Sequence, residues 1–164
     1  MCSSDLGLAV LPQDIPLDII ESVTDFVKSR HSVWETPITL DPSDTVGNAL
    51  SLIHKRAHGA VIVVDASKRP VGIFTEHDAA GFDRFTQVQH VMNRDIISVN
   101  GDLGPQAVFD FLHERRLSFA PVVGSAGELL GCMTRKGALR STLYSPAFGR
   151  DGRFLVSVAV GING

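Results

Sequence analysis

The sequence predicts an α/β (α+β) fold made of two tandem copies of one small unit, each with the order strand, helix, strand, strand, helix. Three observations predict it: a constant internal offset, a helical spacing of apolar residues, and short apolar runs of strand length. We expect the two copies to pack with pseudo-two-fold symmetry, because one three-stranded sheet cannot bury both of its faces alone.

The internal repeat is the first of these observations. Gly72 and Gly131 lie 59 residues apart. The same offset joins further pairs without any gap: Thr75 with Thr134, Ala79 with Ala138, and Val63 with Val122. A register that stays constant over so many positions is typical of a duplicated unit.

The first strand and helix of the first unit follow from residue types. Residues 38–40 are a short β-branched stretch, and Ser43 or Asp44 is the expected cap of the helix that follows it. The apolar positions of that helix keep the spacing of a single buried face: Val46, Ala49, Leu50, Ile53 and Ala57.

The remaining elements complete the unit. Residues 60–64 are a continuous apolar run, which predicts a strand buried on both faces. Residues 71–74 give the next strand, and Thr75 opens a second helix. The second unit repeats this order, with strands at 96–99, 120–123 and 129–133 and helices around 107–112 and 135–143.

Composition excludes several classes of protein. Hydrophobic residues make up 44% of the chain and charged residues 20%, which is typical of a globular protein. A net charge of −3 argues against a nucleic-acid partner, and no apolar run approaches the ~20 residues of a membrane-spanning helix. Two cysteines form no disulfide or zinc pattern, so we expect a cytoplasmic protein.

The segment most suited to chemistry is 72–78, with the sequence GIFTEHD, where a strand meets a helix. Thr75 and Asp78 have the spacing of a capping box in which Asp replaces Glu. That structural role is one interpretation and ligand binding is the other, and both can hold together.

The segment resembles the signature of CBS domains, in which a Gly, an apolar residue, any residue, Ser or Thr, two free positions and an Asp follow one another. The resemblance covers about residues 36–148. It implies a module without catalytic residues that binds a purine nucleotide, either ATP, ADP or AMP or else GTP or GMP. It also implies that Asp78 binds both ribose hydroxyls and that Thr75 contacts phosphate or ribose. A carboxylate suits the first role, because it can accept a charge-assisted hydrogen bond from each hydroxyl of a diol.

The second copy of the motif departs from this pattern. Thr134 is kept, but Gly137 stands where the aspartate belongs, and Arg135 and Lys136 lie between them. We therefore expect one nucleoside-competent site near Asp78 and a second site that is degenerate or offers phosphate contacts. A solvated helix face is the alternative role of the two basic residues.

Other residues add little chemistry. Ile38 and His77 complete the nucleotide-binding candidates, although an exposed position in the first helical turn would equally explain His77. His54 and His58 are four residues apart but have no evident third ligand, so we expect no metal site. Arg115 and Arg116 fit helix-end charges. We expect no catalytic residues and no cofactor in this chain.

The flanks carry a second resemblance. Within them, residues 16–30 predict an amphipathic helix and residues 154–161 a Val-rich strand, neither with an evident partner in the repeats. Residues 16–36, and residues 143–146 with 152–161, are similar to the segments through which IMP dehydrogenases enter and leave their CBS pair, within a branch that includes GMP reductases carrying CBS domains. A catalytic barrel of that kind needs ~250 residues. The resemblance implies that this chain is a regulatory part of an NAD(P)-dependent oxidoreductase that acts on IMP or GMP, and that the barrel is one of its partners.

These expectations divide the chain and leave two functions open. The expected segments are a non-native leader over 1–7, a junction linker and helix over 8–35, repeats over 36–92 and 93–148, and the start of a barrel over 149–164. One hypothesis is a purine-nucleotide sensor. The alternative is a structural module without a ligand, which drives homo-oligomer assembly through its helices.

Overall fold

The computed structural model describes residues 9–11, 15–28, 34–54, 59–144, 147–150 and 153–158. The chain divides into two compact units, one over Val33–Arg140 and one over Met1–Ser32 together with Ser141–Gly164. The first of these contains the three-stranded sheets of both repeats. Helices and three-stranded sheets alternate in it, which confirms the predicted α/β class.

Two elements precede the repeats. Strand β1 spans Ala9–Leu11 and helix α1 spans Leu17–Lys28, where a helix over 16–30 was predicted. Pro16 accepts hydrogen bonds from the backbone N–H groups of Ile19 and Ile20 at the start of the helix. Across the described ranges, no helix combines the length and apolarity needed to cross a membrane.

The first repeat follows the predicted order up to its last element. Its members are β2 (Thr39–Leu40), α2 (Val46–Ile53), β3 (Ala60–Val64), β4 (Pro70–Thr75) and a 3-10 helix (Glu76–Ala79). The sheet order is β2-β3-β4, with β2 parallel and β4 antiparallel to the central strand. The central strand is buried along most of its length, as its apolar run predicted.

Two local predictions for this repeat were wrong. Helix α2 is capped by Thr45, whose Oγ1 accepts a hydrogen bond from Asn48 N at 3.3 Å, and not by Ser43 or Asp44. The predicted second helix is a 3-10 helix of four residues. The chain leaves it at Ala80 (ψ 120°), and Gly81 (φ +86°) has a backbone conformation that an α-helix does not accept.

The second repeat keeps all five elements. They are β5 (Val99–Asn100), α3 (Pro105–Glu114), β6 (Phe119–Val123), β7 (Leu129–Thr134) and α4 (Arg135–Leu143). The sheet order is β5-β6-β7, with the same parallel and antiparallel pairings as in the first repeat. Pro105 occupies the first position of α3, where its fixed φ and missing N–H are tolerated.

Each sheet has its outer edge covered by the segment that leads into the other repeat. Asn93, which precedes β5, exchanges two backbone hydrogen bonds of 2.9 Å with Ile73 on the free edge of β4. Glu35, which precedes β2, makes the same exchange with Cys132 on the free edge of β7. The two repeats are therefore interlocked, in agreement with the pseudo-two-fold arrangement.

Two glycines of the repeat make this crossing possible. A Cβ atom at Gly72 would collide with the Met92 side chain, and one at Gly131 would lie 2.8 Å from Trp34 Cβ. At both positions a side chain would force a neighbour to move, and at Gly131 the atoms that would have to move lie on or next to the backbone. The glycines shared by both repeats are thus explained by the close approach of the crossing segments.

Each repeat has a hydrophobic core of its own. The first core gathers around α2, β3 and β4, and its fully buried members include Val46, Val61, Val63 and Phe74. The second core is built in the same way and also takes in Trp34 from the crossing segment. Trp34 is the single tryptophan of the chain and is 7% exposed.

Strand β8 (Val156–Val158) lies in the unit formed by the two ends of the chain. It pairs in parallel with β1, with Ala9 opposite Val156 and Leu11 opposite Val158. The sequence predicted a strand over 154–161 but gave it no partner. Strand β1 is too short for its pattern to be recognised from sequence.

Candidate functional site

A cavity of about 320 Å³ lies between the two repeats, at the lower end of the ~300–1,000 Å³ typical of ligand pockets. One wall comes from the first repeat and contains Thr75 and Asp78. The opposite wall comes from the second repeat and from the segment that joins the two. We call this cavity the Asp78 cleft.

The carboxylate of Asp78 is held by the turn in which it lies. Its Oδ2 accepts hydrogen bonds from Thr75 N at 2.8 Å and from Thr75 Oγ1 at 2.7 Å. Within the described ranges, no donor reaches the second oxygen, Oδ1. The local capping geometry therefore fixes the carboxylate while it leaves acceptor capacity for a hydroxyl group in the cleft.

The cleft has apolar surfaces beside this polar corner. Ile73 stands on β4, Ile97 precedes β5, and Leu117 and Phe119 come from the loop and strand after α3. Apolar surfaces of this kind suit a planar aromatic group, whose faces leave water when they are covered. The cleft thus offers a hydroxyl acceptor and an apolar compartment side by side.

Two charged residues in the lining were not predicted from sequence. Asp95 lies in the segment that joins the repeats, and Arg116 follows the end of α3. Arg116 has φ +55°, a left-handed conformation that is uncommon for a residue with a side chain. From sequence it fits a helix-end charge, because no local pattern distinguishes it from Arg115, whose guanidinium lies 4.0 Å from the ring centre of Phe111.

The other candidates of the first repeat lie outside the lining of this cleft. Ile38 is packed against the first core, and its counterpart in the second repeat, Ile97, lines the cleft instead. His77 is exposed on the short 3-10 helix. Their roles in binding stay predictions.

The candidates of the second repeat gather at the start of α4. Thr134 Oγ1 accepts a hydrogen bond from Gly137 N at 3.0 Å and donates one to Glu35 Oε1 at 3.2 Å. Arg135 and Lys136 are exposed there. The structure does not bring these three residues into the Asp78 cleft, and their phosphate contacts stay predictions.

Two further groups complete the chemistry around the repeats. Burial raises the pKa of the Cys132 thiol from 9.0 to about 12, and the nearby negative charge of Glu35 adds to the effect. His54 Nε2 lies 3.5 Å from Glu76 Oε1 at the surface. His58 lies outside the described residues, and no cluster of three metal-ligating side chains occurs among those that are described.

Known proteins are similar in sequence to this chain over most of its length. The sequence model of the CBS domain matches residues 27–83 and 88–143. A GMP reductase of Mycobacterium tuberculosis is 40% identical over 158 residues, which cover 96% of this chain and 33% of that protein. An inosine-5'-monophosphate dehydrogenase of Methanocaldococcus jannaschii is 28% identical over 159 residues, which cover 94% of this chain and 32% of that protein.

A solved structure agrees with the sequence relatives. It is a GMP reductase from Trypanosoma brucei in complex with guanosine 5'-triphosphate, with a TM-score of 0.71 and 23% identity. The similarity covers 94% of this chain and 39% of that one, and at this identity it shows the fold alone. The chain spans about a third of the length of the curated relatives it matches.

Proposed function

Because the chain belongs to the CBS domain family, as a tandem pair related to the corresponding region of GMP reductases and IMP dehydrogenases, we propose that it is a regulatory module that binds a purine nucleotide in the Asp78 cleft. The observation that carries the proposal is the carboxylate of Asp78, which is fixed by Thr75 and faces a cavity between the two repeats.

The chemistry of the cleft supports a nucleoside as the ligand. A ribose presents two neighbouring hydroxyl groups, and a carboxylate can accept a hydrogen bond from each of them. A purine base has the planar apolar faces that Ile73, Ile97 and Phe119 would cover. The T. brucei relative in complex with guanosine 5'-triphosphate lends support to a nucleotide, and adenine nucleotides stay open as ligands.

The charges of the cleft bear on the phosphates. Asp78 and Asp95 are acidic, and Arg116 is the cationic side chain among the lining residues that the structure describes. An extended phosphate chain beside two carboxylates would be repelled unless a cation screened it. We therefore assign phosphate binding to Arg116, with the fork of its guanidinium suited to phosphate oxygens.

The regulatory role follows from linkage between ligand and conformation. A nucleotide that binds one arrangement of the pair more tightly shifts the protein toward that arrangement. We propose that the module acts in this way within a cytoplasmic NAD(P)-dependent oxidoreductase of purine nucleotide metabolism. That enzyme would act on IMP or GMP. Its partner would be the catalytic barrel of that enzyme.

A panel of ATP, ADP, AMP, GTP and GMP tests the proposal by thermal unfolding of the chain. A ligand that binds the folded state raises the unfolding temperature by mass action. The substitution Asp78→Ala removes a charged acceptor and should weaken binding by about 1.5–3 kcal/mol. Asp110→Ala removes an exposed carboxylate of α3 and should leave the response intact. An equal response in both variants would exclude the role of Asp78.

A second candidate function rests on the surface of α4. Leu139 and Leu143, one helical turn apart, are 42% and 68% exposed, and Tyr144 beyond them is 65% exposed. Such a patch fits self-association with another copy of this chain through its helices. A stable dimer that forms without nucleotide, together with no thermal response to the panel, would favour an assembly module over a sensor.

A further inference from the structure

The second repeat lacks the aspartate of the signature, yet a carboxylate stands beside its threonine. Thr134 donates a hydrogen bond from Oγ1 to Glu35 Oε1 at 3.2 Å. In the first repeat, Thr75 donates the equivalent bond to Asp78 Oδ2 at 2.7 Å. One pair is formed within a single turn, and the other joins residues 99 positions apart in sequence.

The position of this carboxylate agrees with that of the missing side chain. A Cβ atom built on Gly137 would lie 2.6 Å from Glu35 Oε1. By standard bond lengths, the carboxylate oxygens of an aspartate lie about 2.4 Å from its own Cβ. Glu35 therefore places an oxygen at nearly the distance from this Cβ position that an aspartate oxygen would have, and within hydrogen-bond reach of Thr134, and the absence of a side chain at Gly137 makes room for it.

The backbone holds Glu35 in this place. Its N–H and carbonyl both pair with Cys132 on the edge of β7, at 2.9 Å each. The side chain thus extends from a fixed point toward the start of α4. The raised pKa of the Cys132 thiol has the charge of Glu35 among its causes, which agrees with a carboxylate held close to this edge.

We propose that Glu35 supplies the sugar-binding carboxylate of a second nucleoside site at Thr134, in place of the aspartate that position 137 has lost. This inference rests on the proposed function, because it assigns the same ligand class to the second half. It differs from the expectation of a second site that is degenerate or offers phosphate contacts. It also ties that site to the segment leading into the repeats, since Glu35 belongs to both.

Isothermal titration of the full chain with GTP, and with ATP in parallel, tests the proposal through stoichiometry. Wild type should bind two nucleotides per chain. The isosteric Glu35→Gln and Asp78→Asn should each lose one site, seen as at least a tenfold weaker affinity for one of the two. The double variant should lose both. A circular dichroism melt of each variant establishes that it is folded.

A relocation experiment separates binding from a merely structural role. Glu35→Ala combined with Gly137→Asp returns the carboxylate to the position it has in the first repeat, and should restore the second site that Glu35→Ala alone removes. A wild-type stoichiometry of one that Glu35→Gln leaves unchanged would overturn the proposal while the Asp78 cleft stands. Failure of wild type to bind any nucleotide would overturn the proposed function, and this inference with it.

Discussion

The two repeats have the same register and similarly built but separate cores, and they differ at the junction where the last strand ends. In the first repeat, the chain makes a short 3-10 helix that carries its own carboxylate, Asp78. In the second, it continues as the nine-residue helix α4, and the carboxylate beside Thr134 comes from Glu35. In both repeats a carboxylate therefore accepts a hydrogen bond from the threonine of the motif, although residues from different parts of the chain supply it.

The largest expected effect concerns the matched core positions Phe74 and Met133, both fully buried. Phe74→Ala should lower the free energy of unfolding by about 3–5 kcal/mol and Met133→Ala by about 2–5 kcal/mol. Urea unfolding should be followed by circular dichroism and by the fluorescence of Trp34, which reports on the second core. If Phe74→Ala splits the two transitions, the repeats unfold independently and the interlocked arrangement is wrong.

A smaller effect should distinguish the two glycines at the crossings. At Gly131, a new methyl group would press on Trp34 Cβ and on the Glu35 carbonyl oxygen at 3.2 Å, both close to the backbone. At Gly72, it would meet the thioether end of Met92, which can move aside. We expect Gly131→Ala to cost about 1–3 kcal/mol and Gly72→Ala to cost less, as measured by urea denaturation. The reverse order would contradict the asymmetry of the crossings.

The smallest effect concerns the surface pair of His54 and Glu76, which has no counterpart in the second repeat. There the equivalent positions hold His113 and Arg135, which cannot attract each other. Both partners of the pair are largely exposed, with side chains 62% and 71% accessible. Glu76→Arg should therefore change stability by less than about 1 kcal/mol, and 1 M salt should abolish the difference. A larger loss would assign the pair a structural role.

The periodic parts of the fold could be predicted from sequence because many residues contribute to each signal. The duplicated register, the central strand over Ala60–Val64 and helix α4 all agree with the structure. The short 3-10 helix did not follow from the pattern, because Gly81 ends it after one turn despite the preceding alanines. Thr75 and Asp78 could be recognised from sequence because both lie within one short motif, in the same turn that they cap.

The long-range contacts of the site could not be predicted. Glu35 precedes the first strand and meets Thr134 only because the entering segment crosses to the other sheet. Arg116 lines the cleft and has a left-handed backbone conformation, which the neighbouring residue types do not predict. Ile97, rather than Ile38, lines the Asp78 cleft because the walls come from opposite halves of the pair. Such placements depend on the topology of the whole unit.

The covering of each sheet edge by the other half has a consequence for inheritance. An unpaired edge strand is a template for aggregation, so a half cut out by recombination would carry an exposed row of backbone donors and acceptors. Asn93 and Glu35 cover these edges only while both repeats stay in the same chain. The smallest piece that can move intact from one gene to another is therefore the double unit with the few residues that lead into it.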